Sequence, residues 1–178
     1  MNSLVKIILN IIPRSILTRL SFLLKPVIKI YLRGNKYFDP IDGSSFRKFL
    51  PYGYNNVREN ALSPSTFSLE RHRLLWLYLK NETDFFNKNL KVLHFAPEAA
   101  FLQKFKKLKN ISYDTIDLDS PLANIKADIC DLPLDNESYD FILCNHVLEH
   151  IIDDKKAMQE LYRVCLLYTS PSPRDTRE

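Results

Sequence analysis

The densest chemistry in the chain is the hexapeptide Asn145-His146-Val-Leu-Glu149-His150. On one helix His146 and His150 would share a face, with Glu149 beside them to activate water, which is a zinc-hydrolase arrangement. The hexapeptide follows directly on Phe-Ile-Leu-Cys, an apolar run suited to a strand covered on both faces. His146 is therefore expected in a strand-to-helix turn, and Glu160, on that same helix, is the later acid offered as a third ligand. The hydrolase thus stands as the alternative to a second chemistry, in which Asn145 and His146 face a ligand crevice and Glu149 and His150 begin the next helix. Asp117 belongs with that second chemistry. It ends an apolar run about 20 residues past the first strand-helix turn, where a carboxylate can accept from both hydroxyls of a ribose.

A second array lies upstream. Asp39-Pro-Ile-Asp42 and Ser63-Pro-Ser-Thr66 have 20 residues between them, the spacing of two C-x-x-C dyads without a cysteine. Two carboxylates and two hydroxyls suit zinc poorly, so no metal is expected. They read instead as proline turns, with Asp and Ser side chains supplying turn hydrogen bonds. Cys130, Cys144 and Cys165 share no metal or disulfide spacing, and a reducing compartment fits them best.

The elements that must position these residues alternate. Ser68 is expected to cap a helix over 69–80 that sends Leu74, Leu75, Trp76, Tyr78 and Leu79 to a core, with Arg71, His72 and Arg73 as a solvated face. Strands are expected at 91–95, 112–118, 125–129 and 139–145. A helix over 99–108 follows the first strand. Another, capped by Asp153, carries Ala157, Met158, Leu161 and Tyr162 on one face. This alternation predicts an α/β fold with a doubly wound, Rossmann-like parallel sheet, whose ligands sit beyond the carboxyl ends of its strands.

Three glycines, all within the first 53 residues, exclude a P-loop and the glycine-rich dinucleotide fingerprint. The net charge of +4 is segregated: residues 1–38 carry seven bases and no acid, leaving the rest at −3. A mildly acidic body excludes nucleic acid as the expected partner. The N-terminal arm, residues 1–35, reads as a basic amphipathic helix kinked at Pro13 and Pro26, with no apolar run long enough to span a bilayer. Peripheral contact of residues 1–33 with an anionic membrane and packing on the body are both open readings.

The run from Ala127 to Val164, ADICDLPLDNESYDFILCNHVLEHIIDDKKAMQELYRV, resembles the middle of a class I S-adenosylmethionine-dependent methyltransferase of the type-11 group. Asp128, Leu132-Pro133, Tyr139-Asp140 and Glu149-His150 fall in that family's order. The resemblance implies Asp117 on the ribose, Asp128 with Ile129 at the adenine, and Asn145 beside the methionine end. It implies S-adenosylmethionine as cofactor, a methyl acceptor it does not identify, and a cytoplasmic enzyme with His146 as a tentative base. The segment NALSPSTFSLERHRLLWLYL with KVLHFAPE resembles a bacterial subgroup that places a small cysteine ribbon before the fold, with Asp39, Asp42, Ser63 and Thr66 at the ribbon's ligand positions. At the first turn the family commonly has an acid and three glycines. Here these are His94, Ala96, Glu98 and Ala100, so side chains narrow the approach, and Glu98 is expected to repel the cofactor carboxylate or attract its cationic end.

The organisation expected is therefore an arm at 1–35, a ribbon-like segment at 36–68, a partial methyltransferase domain at 69–164 and a non-native tail at 165–178. That tail, rich in Ser and Pro, is expected to replace the family's last strands, leaving the sheet incomplete at its C-terminus and the chain a fragment of the enzyme. A non-catalytic binding module on the same fold is the other alternative.

Overall fold

The computed structural model describes residues 24–53 and 56–165, so expectations that fall on 1–23 and 166–178 lie outside the described residues. The chain divides into two compact units, 1–76 and 77–178.

Unit one contains a helical stretch at 24–31 and four short strands. Strands β1 (Arg33–Asp39) and β2 (Ser44–Phe46) form one antiparallel hairpin, and β3 (Leu50–Tyr52) pairs with β4 (Arg58–Leu62) in another. Gly43 turns the first hairpin at φ 75, a conformation that costs glycine nothing. Leu32, Phe46 and Phe49 form one apolar cluster, with Ile28, Tyr37 and Leu50 packed against it, and Ile41, Ala61 and Leu69 are buried as well. A polar cluster does the rest. Asp39 is fully buried and accepts from Ile41 N at 3.0 Å, Thr66 Oγ1 at 2.6 Å and Ser65 Oγ at 3.4 Å. Asp42 accepts from Ser44 N and Ser65 Oγ, while Ser63 Oγ accepts from Ser65 N. The expected turn hydrogen bonds are present, and they also tie the two dyads to each other.

Helix α1 (Glu70–Asn81) corrects three expectations. Ser68 does not cap it: its hydroxyl pairs with Thr66 and Asp39, while Leu69 N donates to His72 Nδ1. Leu74 is exposed, and Leu79 carries the buried contact. His72 is buried rather than solvated, and Arg73 turns inward, donating to Ser68 O and Ala61 O with its guanidinium 4.7 Å from the Phe49 ring centroid. Local charge density misled because an arginine stem covers apolar surface while its head satisfies carbonyls.

Unit two is a four-stranded parallel sheet in the order β7-β6-β5-β8. Its strands are β5 (Leu90–Phe95), β6 (Ile111–Asp117), β7 (Ile125–Lys126) and β8 (Phe141–Cys144). Strand alternation sorts the faces. Leu93, Phe95 and Ile116 join Ile129, Leu132 and Tyr139 in one core, which Ala157 and Val164 of helix α3 (Asp154–Val164) cover. On the other face, Phe101 and Phe105 of helix α2 (Ala99–Phe105) stack 5.2 Å apart and approach His94, and Phe85 packs on Phe105 and Phe141. Helices on both faces make the sheet doubly wound, as expected. Asp153 caps α3 by accepting from Lys156 N. Met158 and Tyr162, expected in the α3 core face, stand 53% and 65% exposed. The buried face there runs through Ala157 and Val164 instead.

Candidate active site

The chain leaves β5, builds β6 and β7 to one side, then returns to place β8 on β5's other side. The order therefore reverses between β5 and β8, and crevices in parallel sheets open at such a reversal, beyond the carboxyl ends of the strands. The backbone marks the place. Ala96 and His146, which follow β5 and β8, both adopt left-handed conformations, with φ 46 and φ 55. For a residue with a Cβ that conformation costs about 1–2 kcal/mol, and strain of this kind collects at functional sites. Ala96 thus takes up the backbone form that glycine takes freely, and its amide is held by Ile116 O at 3.0 Å.

Glu98 does not project into the crevice as a loose side chain. Its Oε2 lies 2.7 Å from His94 Nε2, and His94 Nδ1 lies 2.6 Å from the Tyr113 hydroxyl. His94 is completely buried while the Glu98 side chain keeps 18% exposure, so the array runs from core to surface. Tyr113 titrates well above its ordinary range, first because it is buried and second because Glu98 is near. A phenol that holds its proton donates to Nδ1, leaving Nε2–H to donate to the carboxylate. Register explains the geometry. His94 pairs with Thr115 across the parallel ladder, and Tyr113, two residues earlier, stands on the same face.

The other expected residues ring the strand ends. Asp117 closes β6, where Oδ1 accepts from Asp119 N at 2.9 Å and Ser120 N at 2.8 Å, fixing the turn. Asp128 follows β7 and accepts from Cys130 N at 2.8 Å. Ile129 is 5% exposed and belongs to the apolar core, so what it can offer a ligand is backbone. Asn145 follows β8, and its Nδ2 is buried with no hydrogen-bond partner among the described residues. A buried donor without an acceptor costs about 1–3 kcal/mol, and a bound ligand oxygen would supply one.

His146 sits in the turn, as expected, and Leu148–His150 form a single 3-10 turn. Its Nδ1 lies 3.0 Å from Glu149 Oε1, and both side chains are more than half exposed. That hydrogen bond from His146 is the main reason Glu149 is held below the usual carboxylate range. Glu160, the third ligand of the hydrolase reading, is engaged elsewhere. Arg163 Nε and Nη2 and Leu132 N all donate to it, and the Arg163 hydrogen bond lowers its pKa to about 2. Among the described residues no group of three or more His, Cys, Asp or Glu side chains could hold a metal ion. Cys144, at the end of β8, is pushed up to about 12 by burial and then by Glu149, so it is a thiol and no nucleophile.

A shallow cavity of about 450 Å³ lies at the opposite, amino ends of β5 and β6, lined by Leu90, Lys91, Asn110 and Ile111. It has neither a left-handed residue nor an orphaned donor, and the switch point has both. Sequence reasoning missed His94 and Tyr113 as supports of Glu98, and Arg163 as the clasp of 132–136. Arg163 donates to Leu132 O, Leu134 O and Asn136 Oδ1. The four-residue step from His94 to Glu98 was the available signal.

Residues 81–166 match the family described as "Methyltransferase domain". A solved structure, a SAM dependent methyltransferase from Aquifex aeolicus, is similar at 15% identity and a TM-score of 0.43, over 60% of this chain and 71% of that one. No curated protein matches the chain.

Proposed function

We propose, from the match of residues 81–166 to a methyltransferase-domain family, that the chain holds S-adenosylmethionine at the carboxyl ends of β5, β6, β7 and β8 and methylates a nucleophilic oxygen or nitrogen of an acceptor. The observation that carries this reading is the coincidence, at the sheet's switch point, of two left-handed non-glycine residues and the orphaned amide of Asn145. The donor set fits the ligand. Asp117 has one oxygen held by its own turn and a second for the ribose diol. Asp128 and the backbone at Ile129 serve the adenine, Asn145 Nδ2 donates to the methionine carboxylate, and Glu98 faces the cationic end. Left-handed Ala96 lets the backbone approach despite the missing glycine.

The bound cofactor supplies a methyl group on a sulfonium, which leaves by in-line displacement. The rest is positioning. With the cofactor bound, His146, whose ring Glu149 orients through Nδ1, would take the acceptor's proton. The reaction belongs in the cytoplasm, in keeping with cysteines whose spacing fits no disulfide framework.

Calorimetry with two ligands tests the assignment. Glu98→Gln is expected to weaken S-adenosylmethionine about tenfold while leaving methylthioadenosine, which lacks the amino-acid end, within about twofold. Equal loss for both ligands would remove Glu98 from the amino-acid end. Failure of the unaltered chain to bind either would remove the reading itself.

A further inference from the structure

The helical stretch at 24–31 has two apolar strips. Ile28, with Leu32 just beyond, packs on Phe46 and Phe49 and is accounted for by the core of unit one. The second strip is Leu24, Val27, Ile30 and Tyr31, at helical spacing, and it stands in solvent: Val27 is 62% exposed, Ile30 76% and Tyr31 71%. Single exposed apolar residues are ordinary, but four on one face of a helix of little more than two turns make a continuous patch that calls for a partner.

Charge says which partner. Beside the strip runs a groove of about 550 Å³ lined by Lys29, Arg33, Gly34, Ser44 and Ser45. Lys29 reaches Asp42 at 3.4 Å, while Arg33 has no ion-pair partner among the described residues. The sequence around them is one-signed, with seven bases and no acid over residues 1–38, whereas the rest of the chain is net acidic. A helix with an apolar strip on one side and bases alone on the other is built for the plane of an anionic bilayer surface. There each base near the surface strengthens the attachment. A nucleic acid would leave the apolar strip uncovered.

We propose that this face docks the chain on an anionic lipid surface. Leu24, Val27, Ile30 and Tyr31 enter the boundary between headgroups and acyl chains, and Arg33 and Lys29 take the headgroup phosphates. The contact is peripheral, since among the described residues no helix is long and apolar enough to cross a membrane. It is independent of the methyl-transfer reading.

Co-sedimentation of the full chain with phosphatidylcholine vesicles, with and without about 30% phosphatidylglycerol, tests it. Binding is expected on the anionic vesicles, falling in high salt, and about tenfold weaker on neutral ones. The double variant Val27→Asp with Ile30→Asp should lose at least about tenfold of that binding, and Arg33→Gln a smaller factor of about five. Both change exposed side chains, so an unchanged melting curve and circular dichroism spectrum show that the fold is kept. Equal binding to neutral vesicles, no binding to either, or full binding by the double variant would overturn the proposal. So would a self-associated chain that ignores vesicles and becomes monomeric on Val27→Asp.

Discussion

Unit one and unit two are held together by different kinds of interaction. In unit one, a fully buried carboxylate, Asp39, gathers the Thr66, Ser65 and Ser68 hydroxyls and the Ile41 amide around itself, beside the apolar cluster of Leu32, Phe46 and Phe49. In unit two, the parallel sheet is sandwiched between apolar residues on both faces, and polar groups gather at its carboxyl ends. A buried polar network is directional and fails when one member is lost, whereas an apolar core degrades with the volume removed. Unit two can therefore tolerate strain and an unpaired donor at its rim, at Ala96, Asn145 and His146, because its stability comes from elsewhere.

The largest expected effect separates the two. Phe105→Ala empties space against Phe85, Phe101 and Tyr113, and should lower the stability of unit two by about 3–5 kcal/mol in urea unfolding. Hydrogen exchange resolved by peptide should show that loss over 90–144. Asp39→Ala removes the acceptor of the Thr66 and Ser68 hydroxyls and the Ile41 amide, leaving Ser65 only Asp42, and should cost about 2–4 kcal/mol, with faster exchange over 33–68. Dialysis against a chelator should change neither melting curve. A fall for unit one would show that a metal, and not the Asp39 network, holds the dyads.

Acid should act on unit two through Glu160. Its folded pKa, about 2, lies below the ordinary value of 4.5 because Arg163 and Leu132 N hydrogen-bond its charged form. The stability it contributes is complete above pH 4.5 and is lost as pH falls toward 2. Glu160→Gln should flatten the pH dependence of melting across that window, and an unchanged profile would dismiss the clasp. Smallest of all, Ala96→Gly should stabilise unit two by about 1 kcal/mol by relieving the left-handed conformation.

Much of unit two was legible because strand and helix periods are strong signals there. Leu90–Phe95, Ile111–Asp117 and Phe141–Cys144 lie within a residue or two of where alternation places them. The third strand is shorter than expected, two residues at Ile125–Lys126, since Asp128 turns the chain with its own side chain. Asp117, Asp128, Asn145 and His146 lie at or just past strand ends, where their positions in the sequence put them. What stayed hidden depends on pairing across the chain. Nothing local says that Asp39 is buried, that Arg73 turns inward toward Ala61, or that Tyr113 backs His94. Met158 and Tyr162 were misplaced because a helical period gives the apolar face but not how much of it the sheet covers.

If, as we propose, an adenosyl ligand sits at the strand ends with its ribose on Asp117, that carboxylate is the place to probe it. Asp117→Asn preserves an Oδ1 acceptor for the Asp119 and Ser120 amides and replaces the other oxygen with an amide donor, so the turn survives while the second ribose acceptor is lost. Titration calorimetry with S-adenosylhomocysteine should show binding to the unaltered chain and at least about tenfold weaker binding to the variant at an unchanged melting temperature. Identical affinities for the two, or no heat from either, would contradict the account.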